Sequence, residues 1–118
     1  MALRFEVYDG LELEGTVFRI VSACPPTIDD FRSYADLGRA FPSYHMFRAT
    51  GVSMYLTQSS AEDANARFNL GDCIAELELR DNRNLWALTG GRDHITVWAT
   101  PTVLLNRVVR CAEDRRGR

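Results

Sequence analysis

The sequence predicts a mixed α+β domain, and two observations support this fold class. Several segments alternate apolar and polar residues with the period of a half-buried strand, most clearly residues 73–79, CIAELEL. Other segments follow a Ser or Thr that can cap a helix, as Thr27 does before Ile28 and Phe31. The predicted order is β-β-α-β-α-β-β-β-α, which is typical of an α+β domain.

The first half of the chain contains two predicted strands and one helix. Residues 2–8 alternate as a strand does, and residues 16–22 are rich in β-branched and aromatic residues. Pro25 and its neighbouring proline end the second strand. Thr27 caps the helix, and Gly38 follows its last turn. A loop over residues 39–50 is expected next.

The middle of the chain predicts a strand, a helix and a strand. Residues 51–57 alternate, and Ser59 or Ser60 is expected to cap a helix over residues 61–68. This helix presents small side chains that can lie close to a sheet. After a turn, residues 73–79 form the next strand. Such a unit builds a cleft beside a strand.

The end of the chain predicts two strands and a final helix. Residues 85–88 and 94–99 form the strands, with 94–99 as the last strand of the fold. Pro101 suits the first turn of a helix. Four residues give this helix an apolar face: Val103, Leu104, Val108 and Val109.

Length and composition predict one globular domain. The chain has 118 residues, of which 46% are hydrophobic and 25% are charged. We expect a single domain over residues 1–114 and a frayed basic tail over residues 115–118, RRGR.

Charge and hydropathy exclude two classes of partner. The formal net charge is −2 and no basic cluster precedes the tail, so we expect no nucleic-acid binding. No stretch approaches the roughly 20 apolar residues that a membrane helix requires, so we expect no membrane partner. All fourteen cationic side chains are arginine, which excludes chemistry through a lysine Schiff base.

The cysteines and histidines predict neither a disulfide nor a metal site. Cys24, Cys73 and Cys111 are far apart and form no CxxC pair, and His45 and His94 are the only histidines. An odd, unpatterned cysteine count fits a reducing compartment. Charged residues interrupt the apolar positions near the start, so no signal peptide is predicted. We therefore expect a cytoplasmic protein without a bound metal.

One predicted strand carries a polar face that suits ligand binding. Ser53, Tyr55 and Thr57 alternate with apolar residues and face one side. A hydroxyl can hydrogen-bond a nucleotide, and a tyrosine ring can stack on a base or nicotinamide ring. The alternative is an ordinary amphipathic strand.

Arg19 and His94 are the other candidate site residues. Arg19 interrupts an apolar strand and would either clamp a phosphate or ribose by paired hydrogen bonds or face solvent. His94 begins a strand and would be either a general base near neutral pH or a structural histidine.

Four segments resemble the ADP-ribosyltransferase superfamily, in its small bacterial or phage branch and its poly(ADP-ribose) polymerase-like core. VFRIV resembles the first motif strand, and GVSMYLTQSSAEDANARF is similar to the second motif with its serine-capped helix. CIAELEL is similar to the strand that follows. DHITVWATPTVLLNRVV resembles the closing strand and tail. The four segments follow one another in the family's order.

The resemblance implies a compact, mainly antiparallel two-sheet core with two to three helices, and NAD bound in the cleft between the sheets. The implied catalytic residues are Arg19, Tyr55 and His94. The implied NAD-binding residues are Arg19, Ser53, Tyr55 and Thr57. His94 occupies the third motif position, where the family commonly has glutamate, and Asp93 precedes it.

The implied function is chemistry on NAD or another ADP-ribose compound, with NAD as a substrate. The reaction would cleave the bond between ribose and nicotinamide, as in a toxin or an accessory enzyme of a bacterial defence system. A protein acceptor or an antitoxin would be a further partner. Two alternatives remain: a catalytically inactive module that binds a ligand or a protein, and a structural domain that forms a homodimer.

Overall fold

The computed structural model describes residues 15–33, 51–79, 86–89 and 93–114. The predicted strand 2–8, the loop 39–50 and the tail 115–118 lie outside these ranges. The described elements are, in chain order, β1 (Gly15–Val21), a 3-10 helix (Ile28–Phe31), β2 (Val52–Tyr55), α1 (Gln58–Phe68), β3 (Cys73–Leu79), β4 (Trp86–Thr89), β5 (His94–Trp98), α2 (Pro101–Leu105) and β6 (Val108–Glu113).

The described strands form one six-stranded antiparallel sheet in the order β4-β5-β2-β1-β3-β6. β1 and β3 pair along their whole lengths, from Gly15 opposite Leu79 to Val21 opposite Cys73. With α1 and α2, this sheet confirms the α+β class and its antiparallel character. In the described ranges all strands belong to this sheet, so the second sheet that the resemblance implies is not seen there.

The sheet has one face that carries the main core, and we call it the core face. Its inward residues alternate along each strand, as the period of two requires, and include Val17, Met54 and Leu77. Phe31 from the 3-10 helix and Leu104 from α2 are both fully buried against this face. The apolar alternation that predicted the strands therefore also determined which side each strand buries.

The opposite side of the sheet packs against α1, and we call it the α1 face. Ile20 and Ile74 are buried there against Ala61, with Tyr55 and Ala64 partly buried beside them. The small side chains on α1 let its backbone approach the sheet closely, as the sequence predicted for residues 61–68.

The cap of α1 differs from the predicted one. Thr57, rather than Ser59 or Ser60, is the N-cap, and its Oγ1 accepts a hydrogen bond of 3.0 Å from the Ser60 backbone N–H. The helix therefore starts at Gln58, three residues earlier than expected. The backbone of Thr57 is extended, so the chain turns into the helix as soon as β2 has ended. Three neighbouring residues can each cap a helix, and local preference did not distinguish them.

The first predicted helix is short in the described residues. Only Ile28–Phe31 is helical, as a 3-10 turn, and Arg32 is already extended. The carboxylate of Asp30 accepts hydrogen bonds from the backbone N–H groups of Ser22 and Thr27, at 2.8 and 2.9 Å. This carboxylate folds the segment back against β1. The predicted continuation to Gly38 lies outside the described residues.

The prediction for the last helix is wrong in its second half. Helix α2 ends at Leu105, and Val108 and Val109 belong to strand β6 rather than to a helical face. β5 is therefore not the last strand. β6 pairs with β3, which would otherwise leave a row of backbone N–H and C=O groups unpaired. Apolar residues spaced by four or five positions suit a helix in isolation, and pairing with β3 overrode that preference.

Candidate functional site

Ser53 and His94 form a short side-chain hydrogen bond between β2 and β5. Ser53 Oγ lies 2.6 Å from His94 Nε2. The register pairs Tyr55 with His94 and Ser53 with Thr96, so all four residues share the α1 face. Which group donates depends on the imidazole tautomer, since neutral Nε2 accepts from a hydroxyl and protonated Nε2 donates to it.

Tyr55 contacts the same histidine. The two ring centroids lie 5.5 Å apart and the ring planes meet at 82°, an edge-to-face arrangement. Tyr55 also packs against the small apolar cluster under α1. The tyrosine therefore holds the imidazole in place from one side while Ser53 holds it from another.

A chain of hydroxyls and a carboxylate continues this polar region toward the start of α1. Thr57 Oγ1 donates to Ser60 Oγ at 2.8 Å, and Ser60 Oγ donates to Asp93 Oδ2 at 3.0 Å. Asp93 has a left-handed backbone with φ of 58°, and its carbonyl accepts from the backbone N–H of Leu56 at 2.8 Å. A turn residue with an unusual backbone conformation, immediately before His94 in the chain, thus places its carboxylate against the start of α1.

We call these residues the Ser53–His94 cluster, and its members are Ser53, Tyr55, Ser60, Asp93 and His94. The sequence identified Ser53, Tyr55 and His94 as site residues, and the structure brings these three together. Sequence reasoning missed a role for Ser60, which was considered only as a helix cap. Asp93 was noted only as a neighbour of His94. Thr57, predicted to bind NAD, is placed at the helix cap at the margin of the cluster.

Arg19 does not join the cluster, so the structure does not bring together the three catalytic residues that the resemblance implies, Arg19, Tyr55 and His94. Arg19 lies opposite Ala75 and shares the core face, whereas the cluster occupies the α1 face. Its Nε donates to the carbonyl of Asp30 at 3.0 Å and its Nη1 donates to the carbonyl of Ser53 at 2.8 Å. The guanidinium therefore joins the 3-10 helix to β2, behind the backbone that presents Ser53.

This geometry predicts a stabilising role for Arg19. Replacing it with Met keeps most of the apolar stem but removes both hydrogen bonds. We expect the free energy of unfolding to fall by about 1.5–3 kcal/mol, the usual contribution of hydrogen bonds to a charged group. Chemical denaturation measures this change.

The matched control is Arg110→Met, because Arg110 is exposed on β6. This control should change the free energy of unfolding by less than about 0.5 kcal/mol. An Arg19→Met protein of unchanged stability would contradict the assigned role.

Gly51, immediately before β2, lets the side chains of Thr96 and Trp98 pack closely against the backbone beside the cluster. A β-carbon at this position would lie 2.5 Å from Thr96 Cγ2 and 2.8 Å from Trp98 Cε2. Only glycine lets the indole of Trp98 lie across the chain here. Trp98 is half-buried, so it forms one apolar border of the face that carries Ser53 and His94.

The expectation of unpaired cysteines is wrong. Cys24 and Cys111 form a disulfide with a Cα–Cα distance of 5.7 Å, and the two residues are 87 positions apart. Val21 pairs with Cys73 on β3, and Ala75 pairs with Cys111 on β6, so the sheet brings together residues that are remote in sequence. No spacing rule predicts such a pairing. The disulfide also removes the support that cysteine usage lent to a reducing compartment.

Comparisons with protein-family models, curated proteins and solved structures find no match for this chain. Within the described ranges, neither helix has the length and apolar character needed to cross a membrane.

Proposed function

We propose that this domain binds NAD or a related ADP-ribose compound at the Ser53–His94 cluster and cleaves the bond between ribose and nicotinamide. The observation that carries the proposal is the 2.6 Å contact between Ser53 Oγ and His94 Nε2 on two adjacent strands. A hydroxyl and an imidazole at this distance can hydrogen-bond a ribose hydroxyl together and can move a proton between them.

The strand order supports the proposal. The three segments that resemble the family's motif strands are β1, β2 and β5, and the sheet places them side by side in the order β5-β2-β1. In the proposed ADP-ribosyltransferase-like core, the six-stranded sheet supplies one of the two layers around the cleft.

The chemistry of the proposed step follows from the charges that develop. As the bond between the ribose C1′ and the nicotinamide nitrogen breaks, its electron pair leaves with nicotinamide and the sugar becomes cationic. Water then adds to C1′ and releases a proton, giving ADP-ribose. The carboxylate of Asp93, which accepts a hydrogen bond from Ser60 and belongs to the residue before His94, supplies negative charge near the cationic sugar. His94 accepts the proton from water, and Ser53 fixes its orientation.

A catalytically inactive binding module is the second candidate. A histidine occupies the position at which the family commonly has a glutamate, and one oxygen of Asp93 is already engaged by Ser60. In this version the cluster binds the ribose hydroxyls without promoting cleavage. A homodimer paired through the sheet edge is compatible with either version, because β6 lies at the edge of the described sheet.

The test measures binding and cleavage separately on the full chain. Calorimetry with ADP-ribose should give a dissociation constant of about 1 µM to 1 mM, equivalent to about −8 to −4 kcal/mol. Incubation with NAD should release nicotinamide. Ser53→Ala and His94→Ala should each lower the release rate by about 100-fold, the contribution of a positioned proton-transfer group. Ser59→Ala, at an exposed position of α1, should leave the rate unchanged.

The outcomes distinguish the two candidates. Binding without nicotinamide release selects the inactive module, and neither binding nor release overturns both. His94→Glu adds a further comparison, because it places a carboxylate at the third motif position. We expect this variant to keep or raise nicotinamide release. A variant that loses both release and thermal stability would indicate that His94 is structural.

A further inference from the structure

Three cysteine sulfurs converge at one end of the core face. Cys24 follows β1, Cys73 begins β3 and Cys111 lies in β6. The three Sγ atoms all lie within 4.8 Å of one another. Cys24 and Cys111 are joined in the disulfide, and Cys73 is a buried cysteine that keeps its thiol. Three segments that are remote in sequence therefore present their sulfurs to one point.

We propose that the reduced domain binds one thiophilic d10 cation, of the class of Zn²⁺, through the thiolates of Cys24, Cys73 and Cys111. This site is separate from the Ser53–His94 cluster, which lies on the other face of the sheet. The oxidised domain keeps the Cys24–Cys111 disulfide and has one thiol at the same place. This end of the sheet therefore has two states, one with the Cys24–Cys111 disulfide and one with the bound cation.

The distances suit a metal site after a small movement. Zn²⁺ binds thiolates at about 2.3 Å, so the sulfurs of a tetrahedral site lie about 3.8 Å apart. On reduction, the sulfurs of Cys24 and Cys111 must move apart to that separation, while Cys73 already lies within 4.8 Å of both. Rotation of side chains at Cys24, which is exposed, can supply the movement. A water molecule or another ligand would complete the tetrahedron.

The ligand set favours a soft ion. Among the described residues, the group that brings these three sulfurs together contains no histidine or carboxylate. Thiolates select Zn²⁺, Cd²⁺ and Cu⁺ over the hard cations Mg²⁺ and Ca²⁺, which prefer oxygen. The sheet register holds the strands that carry Cys73 and Cys111 in place, so part of the site is preformed.

The redox step balances with an external dithiol or phosphine reductant. Two electrons and two protons convert the Cys24–Cys111 disulfide into two thiols. A dithiol reductant supplies both and becomes a disulfide, whereas a phosphine supplies the electrons and becomes its oxide, with the oxygen and the two protons coming from a water molecule. Three thiols then bind the cation as thiolates and release three protons. Metal binding therefore requires prior reduction, and it opposes reoxidation because it occupies the two sulfurs that would form the disulfide.

The experiment titrates Cd²⁺ and Co²⁺ into the full chain with and without a phosphine reductant. In the reduced protein we expect one equivalent to bind, with ultraviolet thiolate-to-cadmium absorption and visible cobalt bands of a tetrahedral thiolate site. The oxidised protein should show neither signal. Cys73→Ser in the reduced state should weaken Cd²⁺ binding by at least about 100-fold. Losing a residue that only supports a metal ligand costs up to about 100-fold, and losing a ligand itself should cost no less.

Three results would overturn the proposal: no thiolate absorption in the reduced protein, equal affinity in wild type and Cys73→Ser, or Cd²⁺ binding by the oxidised form. Circular dichroism establishes that each variant is folded, and Cys24→Ser provides a second ligand variant at an exposed position. Peptide mapping tests the competing chemistry. A mixture of disulfides that includes Cys73 would show that the three sulfurs exchange partners, and it would also count against a metal site.

Discussion

Replacing Cys111 with serine is expected to lower the free energy of unfolding of the oxidised domain by about 3–4 kcal/mol. The Cys24–Cys111 bond closes a loop between residues 87 positions apart. A cross-link across so long a loop removes much of the conformational entropy of the unfolded chain, and measured effects of native disulfides are about 2–5 kcal/mol. Urea denaturation without reductant measures the difference between variant and wild type.

The same titration with a reductant and a metal chelator provides the control. Reduction should lower the stability of the wild type to about that of Cys111→Ser, while the variant itself should hardly change. The chelator is needed because a cation bound by the reduced cysteines would stabilise the folded state in its turn. If Cys111→Ser is as stable as the wild type under oxidising conditions, the two sulfurs are not bonded in solution.

Replacing Asn65 with leucine is expected to cost about 3 kcal/mol of unfolding free energy. Asn65 is 2% exposed, and its amide group makes four hydrogen bonds. Its Oδ1 accepts from the backbone N–H groups of Leu70 and Gly71, at 2.7 and 3.1 Å. Its Nδ2 donates to the carbonyl of Gly71 at 2.8 Å and to Asp114 Oδ2 at 2.7 Å.

The expected loss is large because leucine cannot form hydrogen bonds, so each of the four groups that bond the Asn65 side chain loses that bond in a buried place. The carboxylate of Asp114 is 4% exposed and would lose a donor. An unsatisfied buried polar group costs about 1–3 kcal/mol, and more when it is charged. The turn after α1 is also tightly packed, since a β-carbon on Gly71 would overlap the carbonyl of Val21. Little room exists for the turn to rearrange around the larger side chain.

Two further variants test the reason for the loss. Ala66→Leu adds a leucine at the next, exposed position of α1, and it should change stability by less than about 0.5 kcal/mol. The double variant Asn65→Leu with Asp114→Leu removes both polar partners. It should cost less than the sum of the single changes, because no carboxylate remains buried without its donor. Additive costs would show that the hydrogen bond between Asn65 and Asp114 contributes little.

The local elements of the fold could be predicted where a single pattern was strong. The alternation in residues 73–79 matches β3, and the apolar and β-branched run at 16–22 matches β1 to within one residue. The placement of Ser53 and Tyr55 on one side of β2, with the apolar residues that alternate with them on the other, is also confirmed, although Tyr55 packs there against an apolar cluster. These predictions succeeded because side-chain direction in a strand follows from the period of two.

Predictions failed where several local choices were nearly equal. Thr57, Ser59 and Ser60 are all suitable caps, and the end of β2 selected Thr57. Val108 and Val109 suit both a helix and a strand, and the edge of β3 selected the strand. For Val108 and Val109 the deciding hydrogen bonds came from β3, which is remote along the chain.

The sequence by itself determined the class of the domain, the inward side of its strands and the residue types available for a site. Ser53, Tyr55 and His94 could be recognised as candidates because each interrupts an apolar pattern. Only the tertiary structure decided which candidates meet. It brought Ser53 to His94 and placed the Arg19 side chain on the core face, where it bonds the Ser53 carbonyl. It also joined Cys24 to Cys111, with the sulfur of Cys73 beside them. The physical reason is strand order: the neighbours β5-β2-β1-β3-β6 are set by pairing across the whole sheet, and no local pattern specifies which strands become neighbours.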